Sequence, residues 1–179
     1  MRYRRDYRGH CYFFTLVTFD RQPMLRGTQQ IARLRSAFRA VRAMHLFDVP
    51  AIVVLPDHLH CIWQLPDGDS DFALRWMLIK RNFSLATPAT EEVVSPSRRS
   101  KRERAIWQRR YWEHRIRDEE DFARHLDYIH YNPVKHGHTQ SPWDWPHSSL
   151  AACARRGWYL EDWGTNPDQV LVAPKLTGE

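Results

Sequence analysis

An α+β fold built on one antiparallel sheet is predicted by three observations. Short β-branched and aromatic runs alternate with segments of helical periodicity; turn residues separate them; and two of the runs are joined only by Pro56-Asp57. With 179 residues, 42% of them hydrophobic and 13% aromatic, the chain can bury one core and carry appendages.

Residues 11–19, Cys-Tyr-Phe-Phe-Thr-Leu-Val-Thr-Phe, predict a first strand that Arg21-Gln22-Pro23 ends. From Thr28, a first helix follows from Ile31, Leu34, Phe38, Val41 and His45 at helical spacing, with arginines between them. Phe47 to Leu55 reads as a second strand and His58 to Leu65 as a third, paired as a hairpin across Pro56-Asp57. After the turn Pro66-Asp67-Gly68-Asp69, Asp71 is placed to cap a helix through Phe72, Arg75, Trp76, Ile79 and Phe83. Residues 86–105 break the pattern. Thr87-Pro88 and Ser95-Pro96-Ser97 precede Arg98-Arg99-Ser100-Lys101-Arg102-Glu103-Arg104, which predicts a flexible basic insert. Trp107 to Ile116 predicts a fourth strand. Asp118-Glu119-Glu120-Asp121 then supplies the acidic first turn of a helix running to about Tyr131, where Pro133 is expected to stop it. The order βαββαβ with an added C-terminal helix is that of a ferredoxin-like or RRM-like domain over residues 1–138. Residues 139–179, with Trp143, Trp145, Trp158 and Trp163, read as an irregular Trp-rich tail packing on it.

The net charge of +6 is unevenly spread. Residues 1–138 carry 24 Lys and Arg against 16 Asp and Glu, whereas the tail carries 3 against 5. A basic body points to an anionic polymer, most often nucleic acid. Cys11, Cys61 and Cys153 form no C-x-x-C and are odd in number, so they encode neither a disulfide framework nor a zinc knuckle. Cys11 and Cys61 sit in apolar strand patterns as core thiols. No apolar run reaches membrane-spanning length, and the basic Arg2-Tyr3-Arg4-Arg5 leads into no apolar leader, so a cytoplasmic location is expected.

His58-Leu59-His60 lies on the third strand, where residues two apart share a face. Paired neutral imidazoles supply two ligands for a divalent metal. Leu59, Cys61, Trp63 and Leu65 make the opposite, apolar face, which leaves the histidines on the open face of the sheet. The triplet alone is weak evidence, because His136-Gly137-His138 repeats it in what reads as a loop after Asn132-Pro133. In the last helix Phe122, Leu126 and Ile129 form a narrow apolar stripe, and Tyr128 lies roughly 120° away from it on a polar face with Asp121, Arg124 and His125. Asn132 follows one turn later on the side of Tyr128. Phosphodiester cleavage requires charge compensation at a non-bridging oxygen and an in-line nucleophile. A tyrosine hydroxyl can be that nucleophile and store the bond energy in a covalent intermediate. Tyr131, nearer the stripe, reads as packing.

Three stretches carry a resemblance: Val53-Val54-Leu55-Pro56-Asp57-His58-Leu59-His60-Cys61-Ile62-Trp63; Arg110-Tyr111-Trp112-Glu113-His114-Arg115-Ile116; and Asp127-Tyr128-Ile129-His130-Tyr131-Asn132-Pro133-Val134-Lys135-His136-Gly137. With Asp144-Trp145-Pro146-His147-Ser148-Ser149 behind them, the chain resembles the HUH endonucleases over roughly residues 1–150. Within these it is most similar to IS200-like single-tyrosine transposases of the REP-associated type. The resemblance implies that His58 and His60 are metal ligands, Tyr128 the nucleophile and Asn132 the polar third ligand, where many relatives have the longer glutamine. It also implies Mg²⁺ or Mn²⁺, single-stranded DNA bearing a REP-like hairpin, a 5′-phosphotyrosine with a free 3′-OH, and action as a monomer or homodimer.

Arg2, Arg4, Arg5, Arg8, Arg98, Arg99, Lys101, Arg102 and Arg110 are the candidate phosphate contacts. Trp107, Tyr111 and Trp112 are placed either to stack on unpaired bases or to fill the core. His114, His125, His130 and His147 read as structural or solvated. The rival reading is a catalytically inactive RRM-like protein that binds single-stranded nucleic acid on its open sheet. Against it, the third strand offers histidines where an RRM presents aromatics.

Overall fold

The structure, a computed structural model, describes residues 10–88, 97, 104–166 and 170. Its elements are β1 (Cys11–Val17), α1 (Thr28–Met44), β2 (Asp48–Val54), β3 (His58–Gln64), α2 (Phe72–Ala86), β4 (Trp112–Arg115), α3 (Glu119–Lys135) and α4 (Leu150–Arg155). The four strands form one antiparallel sheet in the order β2-β3-β1-β4, the ferredoxin-like arrangement. β1 and β3 are therefore central, and their alternation feeds two separate cores.

On one face, Phe14, Leu16, Leu59, Cys61 and Trp63 pack against Ile31, Leu34, Phe38 and Val41 of α1 and Trp76, Ile79 and Phe83 of α2. Trp63 and Trp76 stack with ring centroids 4.0 Å apart. On the other face, Phe13, Val53 and Ile62 meet Phe122, Leu126 and Ile129 of α3, together with Leu150, Cys153, Tyr159 and Trp163 from beyond it. The sheet is covered on both sides. The face bearing His58 and His60 is thus not open, as the strand pattern predicts, but roofed by α3, because that helix has apolar side chains to bury there. An RRM-type platform of exposed sheet is absent at these residues.

Two element bounds also differ from expectation. Helix α3 begins as predicted, with Asp118 accepting from the Asp121 N–H at 2.8 Å, but runs through Pro133 to Lys135. Proline there removes one N–H in the last turn only, which the helix tolerates. Its end is closed by His136 N–H to the Asn132 carbonyl (3.0 Å), Gly137 N–H to Val134 and His138 N–H to Pro133 (both 2.9 Å). The φ of +68° at Gly137 is one that glycine adopts without strain. The predicted fourth strand is interrupted. Trp107 bridges Thr18 and Gln108 N–H bonds Val17, but the carbonyls of Gln108 and Arg109 turn to Lys80 Nζ, and pairing resumes only at Trp112.

The tail is tied to the body by the free edge of β2. Val54 N–H donates to the His147 carbonyl, Ser149 N–H to the Ile52 carbonyl and Ile52 N–H to Ser149 Oγ, each at 2.9 Å. The indole of Trp145 adds a bond to the Val54 carbonyl at 3.0 Å. An edge strand that would otherwise template pairing is covered. Across the predicted insert, Arg104 bonds the carbonyls of Ser84 and Thr87 and so ties its far end to the end of α2. Most of the insert lies outside the described residues. All three cysteines are buried thiols, Cys11 and Cys61 in the core as expected, and burial pushes the Cys61 thiol well above its usual range. Among the described residues no helix is long and apolar enough to cross a membrane.

Candidate active site

The site is assembled from the middle of the sheet and the last two turns of α3. In the β1–β3 ladder Thr15 is opposite His60 and Val17 opposite His58. The register sets Thr15 Oγ1 2.8 Å from His60 Nδ1, which turns the other ring nitrogen, Nε2, toward any ligand. His58 is oriented the same way by a carboxylate, with Nδ1 2.7 Å from Asp57 Oδ1. Asp57 in turn holds Arg21 at 3.3 Å, and its carbonyl takes the backbone N–H and hydroxyl of Thr18, both at 2.8 Å. Burial raises the Asp57 carboxyl, but hydrogen bonds and charge from His58 and Arg21 outweigh it and bring the pKa down to about 2.

Both histidines are buried, with ring centroids 4.9 Å apart. The Tyr128 ring lies edge-on to His60 at 5.1 Å and to Phe13 at 6.0 Å. Tyr128 is 3% exposed and Asp121, His125 and Asn132 are buried with it, so most of the polar face predicted for α3 is turned inward and Arg124 alone of it stays exposed. Asn132, one turn on, is fully buried, and neither atom of its amide has a hydrogen-bond partner among the described residues. His58 Nε2 is in the same position. Buried polar atoms left this way require an explanation, and a bound ion is one. Two imidazoles with backed Nδ1 atoms and a side-chain amide oxygen are a donor set that suits a divalent cation with open positions.

His136 joins this group. Its ring is 5.1 Å from that of His58, so the second H-x-H triplet, a loop as expected, folds back on the first. Burial lowers the His136 pKa to about 4, and the neighbouring His58, Lys135 and His138 push the same way. Nothing in the local pattern announced this approach; it follows from α3 continuing past Pro133.

A second cluster, His114, Asp121 and His125, has ligand atoms within 4.8 Å of one another, the spacing of a metal site. Most of its donor atoms are already engaged. Asp121 Oδ2 accepts from His114 Nε2 at 2.8 Å and from the backbone N–H and Nε of Arg117 at 3.1 Å, while His125 Nδ1–H donates to the Asp121 carbonyl at 2.7 Å. Burial raises the Asp121 carboxyl, but Arg117, His114 and His125 outweigh it and lower it to about 2. This is an ion-pair network at the start of α3 built on the Asp121 carboxylate; His125 Nε2 alone in it is buried without a hydrogen-bond partner among the described residues. His130 belongs to another, with Nε2 2.9 Å from Ser149 Oγ and Nδ1 3.0 Å from the Tyr159 hydroxyl.

Of the proposed phosphate contacts only Arg110 falls within the described residues, exposed on the loop before β4. Arg2, Arg4, Arg5, Arg8, Arg98, Arg99, Lys101 and Arg102 lie outside them. Trp107 is core, packed on Phe83 at 5.2 Å, and Trp112 is half-buried, stacked on His114 at 5.8 Å. Tyr111 is also half-buried; burial, then Glu113 and Asp71, push its hydroxyl up to about 12. Sequence reasoning passed over α1, which carries Arg33, Arg35, Arg39 and Arg42 and no acidic residue. Three of these, Arg35, Arg39 and Arg42, are exposed at i, i+4 and i+7 on one side. The missing acids were the available signal.

Comparison with known proteins gives one answer. A Haemophilus influenzae protein named as a REP-associated tyrosine transposase is 45% identical over 167 residues, 93% of this chain and 94% of its own. The REP-associated tyrosine transposase of Escherichia coli (strain K12) is 42% identical over 162 residues, 90% and 89% of the two chains. The solved structure of a REP-associated tyrosine transposase bound to a REP hairpin is similar with a TM-score of 0.72 and 40% identity, covering 93% of this chain and 92% of that one. No family model matches. With identity at that level sustained over almost the whole chain, and with the same sheet and helices beneath it, this chain belongs to the REP-associated tyrosine transposases.

Proposed function

We propose that the chain is a metal-dependent single-strand DNA endonuclease and strand transferase that acts on REP-like hairpin DNA through a 5′-phosphotyrosine on Tyr128. The observation that carries this reading is the buried meeting of Tyr128 with His60 at 5.1 Å, beside an Asn132 amide without a hydrogen-bond partner among the described residues. His58, His60 and Asn132 would hold Mg²⁺ or Mn²⁺, which when bound supplies charge compensation on a non-bridging phosphate oxygen. The Asp121 carboxylate is already taken up by His114 Nε2 and by Arg117, which favours this set over that cluster.

The chain's own residues do the rest. Tyr128 Oη loses its proton and bonds to phosphorus, the bond from phosphorus to the 3′ oxygen breaks, and that oxygen takes a proton and leaves as a 3′-OH. Phe13 and the sheet beneath Tyr128 keep water from one side of the adduct, so that an incoming 3′-OH can reverse the step and join a strand. One chain brings Tyr128 and both histidines together, which supports a monomer working in cis. The hairpin held by the relative of known structure supports the substrate, and the exposed arginines of α1 add cations for it.

The test is to incubate the protein with Mg²⁺ or Mn²⁺ and a hairpin-bearing DNA strand. A covalent DNA adduct mapped to Tyr128 is expected; cleavage without an adduct, or an adduct elsewhere, overturns the reading.

A further inference from the structure

We propose that Lys135 is the cation that neutralises the scissile phosphate while Tyr128 attacks it. The proposal rests on the reading of Tyr128 as nucleophile and adds a catalytic group to it.

Its basis is the unbroken course of α3. Had the helix ended before Pro133, residue 135 would have left with the loop. Instead the helix reaches Lys135, two turns beyond Tyr128, and seven residues return the side chain to within about 20° of the same side. Lys135 Nζ is 4.8 Å from the centroid of the Tyr128 ring. An ammonium over an aromatic face is attracted by the ring, and the attraction grows as the ring gains negative charge.

Charge is what the reaction produces. A phosphodiester carries one negative charge, and a phenolate adds a second as its oxygen approaches phosphorus. Both are spread over the non-bridging and entering oxygens at the transition state. When the 3′ oxygen leaves with a proton, the adduct returns to a single charge. A cation fixed beside the nucleophile stabilises the doubly charged point more than either end, which is the condition for accelerating the step. Burial also lowers the Lys135 ammonium below its ordinary value, so its charge acts from partly dehydrated surroundings, where a charge has more effect. Lys135 is an exposed residue, so its substitution leaves the fold alone.

The experiment measures single-turnover adduct formation at saturating hairpin DNA for the unaltered protein, Lys135→Gln and Lys135→Arg. Each is assayed on an ordinary strand and on one with a methylphosphonate at the cleaved linkage. The methylphosphonate is neutral, so its transition state lacks one charge. On the ordinary strand Lys135→Gln is expected to slow adduct formation by about 100-fold, with hairpin affinity changed less than about threefold and most of the rate restored by Lys135→Arg. On the methylphosphonate the defect should shrink toward unity. An unchanged rate in Lys135→Gln overturns the proposal, as does an equal defect on both linkages, which marks a packing role, or a loss confined to affinity. If the unaltered protein forms no adduct on Tyr128, the reading of the nucleophile fails first and takes this proposal with it. An adduct at normal rate in Lys135→Gln overturns Lys135 alone.

Discussion

Thr15 and His60 face each other across the β1–β3 ladder, with Thr15 Oγ1 and His60 Nδ1 2.8 Å apart. The hydroxyl comes from a residue with no other place in the proposed chemistry, and its effect is to fix one imidazole's orientation. Asp57 does the same for His58 at 2.7 Å. Supporting groups of this kind are worth about 10–100-fold in metal affinity. Thr15→Val is therefore expected to weaken Mn²⁺ binding by roughly that factor, and His58→Ala or His60→Ala to weaken it further. Calorimetric titration of the DNA-free protein measures it; equal affinity in all four proteins would remove the metal from this site.

Tyr128→Phe keeps the ring that packs on Phe13 and His60 and removes only the hydroxyl. Adduct formation should fall by at least about 10³-fold, while hairpin affinity stays within about threefold. A gel that still shows the covalent product from this variant would show that another residue is the nucleophile.

The order of elements was readable because period-two and period-3.6 patterns do not mix in this chain: Leu59, Cys61 and Trp63 alternate, whereas Ile31, Leu34, Phe38 and Val41 recur by turns. What misled was α3. An amphipathic pattern is normally read as one buried face and one wet face, yet here the stripe of Phe122, Leu126 and Ile129 packs into the core while His125, Tyr128 and Asn132 of the polar face are buried too and Arg124 stays exposed. Tyr128 lies there between His60 and Phe13, so its ring packs on one polar and one apolar neighbour. Pro133 read as a stop for the same local reason, and with it went the approach of His136 to His58. Such approaches depend on where a helix ends against a sheet, which local periodicity does not encode.

The basic insert lends itself to a salt test. If Arg98, Arg99, Lys101 and Arg102 track phosphates, replacing all four with Ala weakens hairpin binding and flattens the plot of log affinity against log salt. The expected change in slope is about 0.9 for each phosphate no longer neutralised. Arg35, Arg39 and Arg42, replaced together, provide a second arm on α1. Filter-binding across a salt series separates the two. An unchanged slope in the insert variant would exclude those four side chains from the DNA.

His130 makes the fold acid-sensitive before any carboxylate does. Ile52 N–H donates to Ser149 Oγ, whose hydroxyl is 2.9 Å from His130 Nε2; on the far side Nδ1 meets the Tyr159 hydroxyl, which itself donates to Asp127 Oδ1 at 3.0 Å. This run of donors fixes a neutral imidazole with its proton on Nδ1, and a second proton, on Nε2, would displace the Ser149 hydroxyl proton from the bond it makes there. Burial accordingly lowers the His130 pKa from 6.5 to about 3. Between those values the unfolded chain binds a proton that the folded chain refuses, so stability falls as pH falls, by about 1.4 kcal/mol per pH unit for one group. Asp57 and Asp121, both brought down to about 2, act in a lower window: their contribution is complete above the ordinary value of 3.8 and is lost as pH drops toward 2. His130→Gln is therefore expected to lower the melting temperature at pH 7, where packing and hydrogen bonds are removed, and to melt with a shallower pH dependence from pH 6.5 to 4. The slope that remains belongs to His125, His136 and His147, which burial also lowers. Parallel melting curves for the two proteins over that range would show that His130 takes up its proton without unfolding the tail from β2.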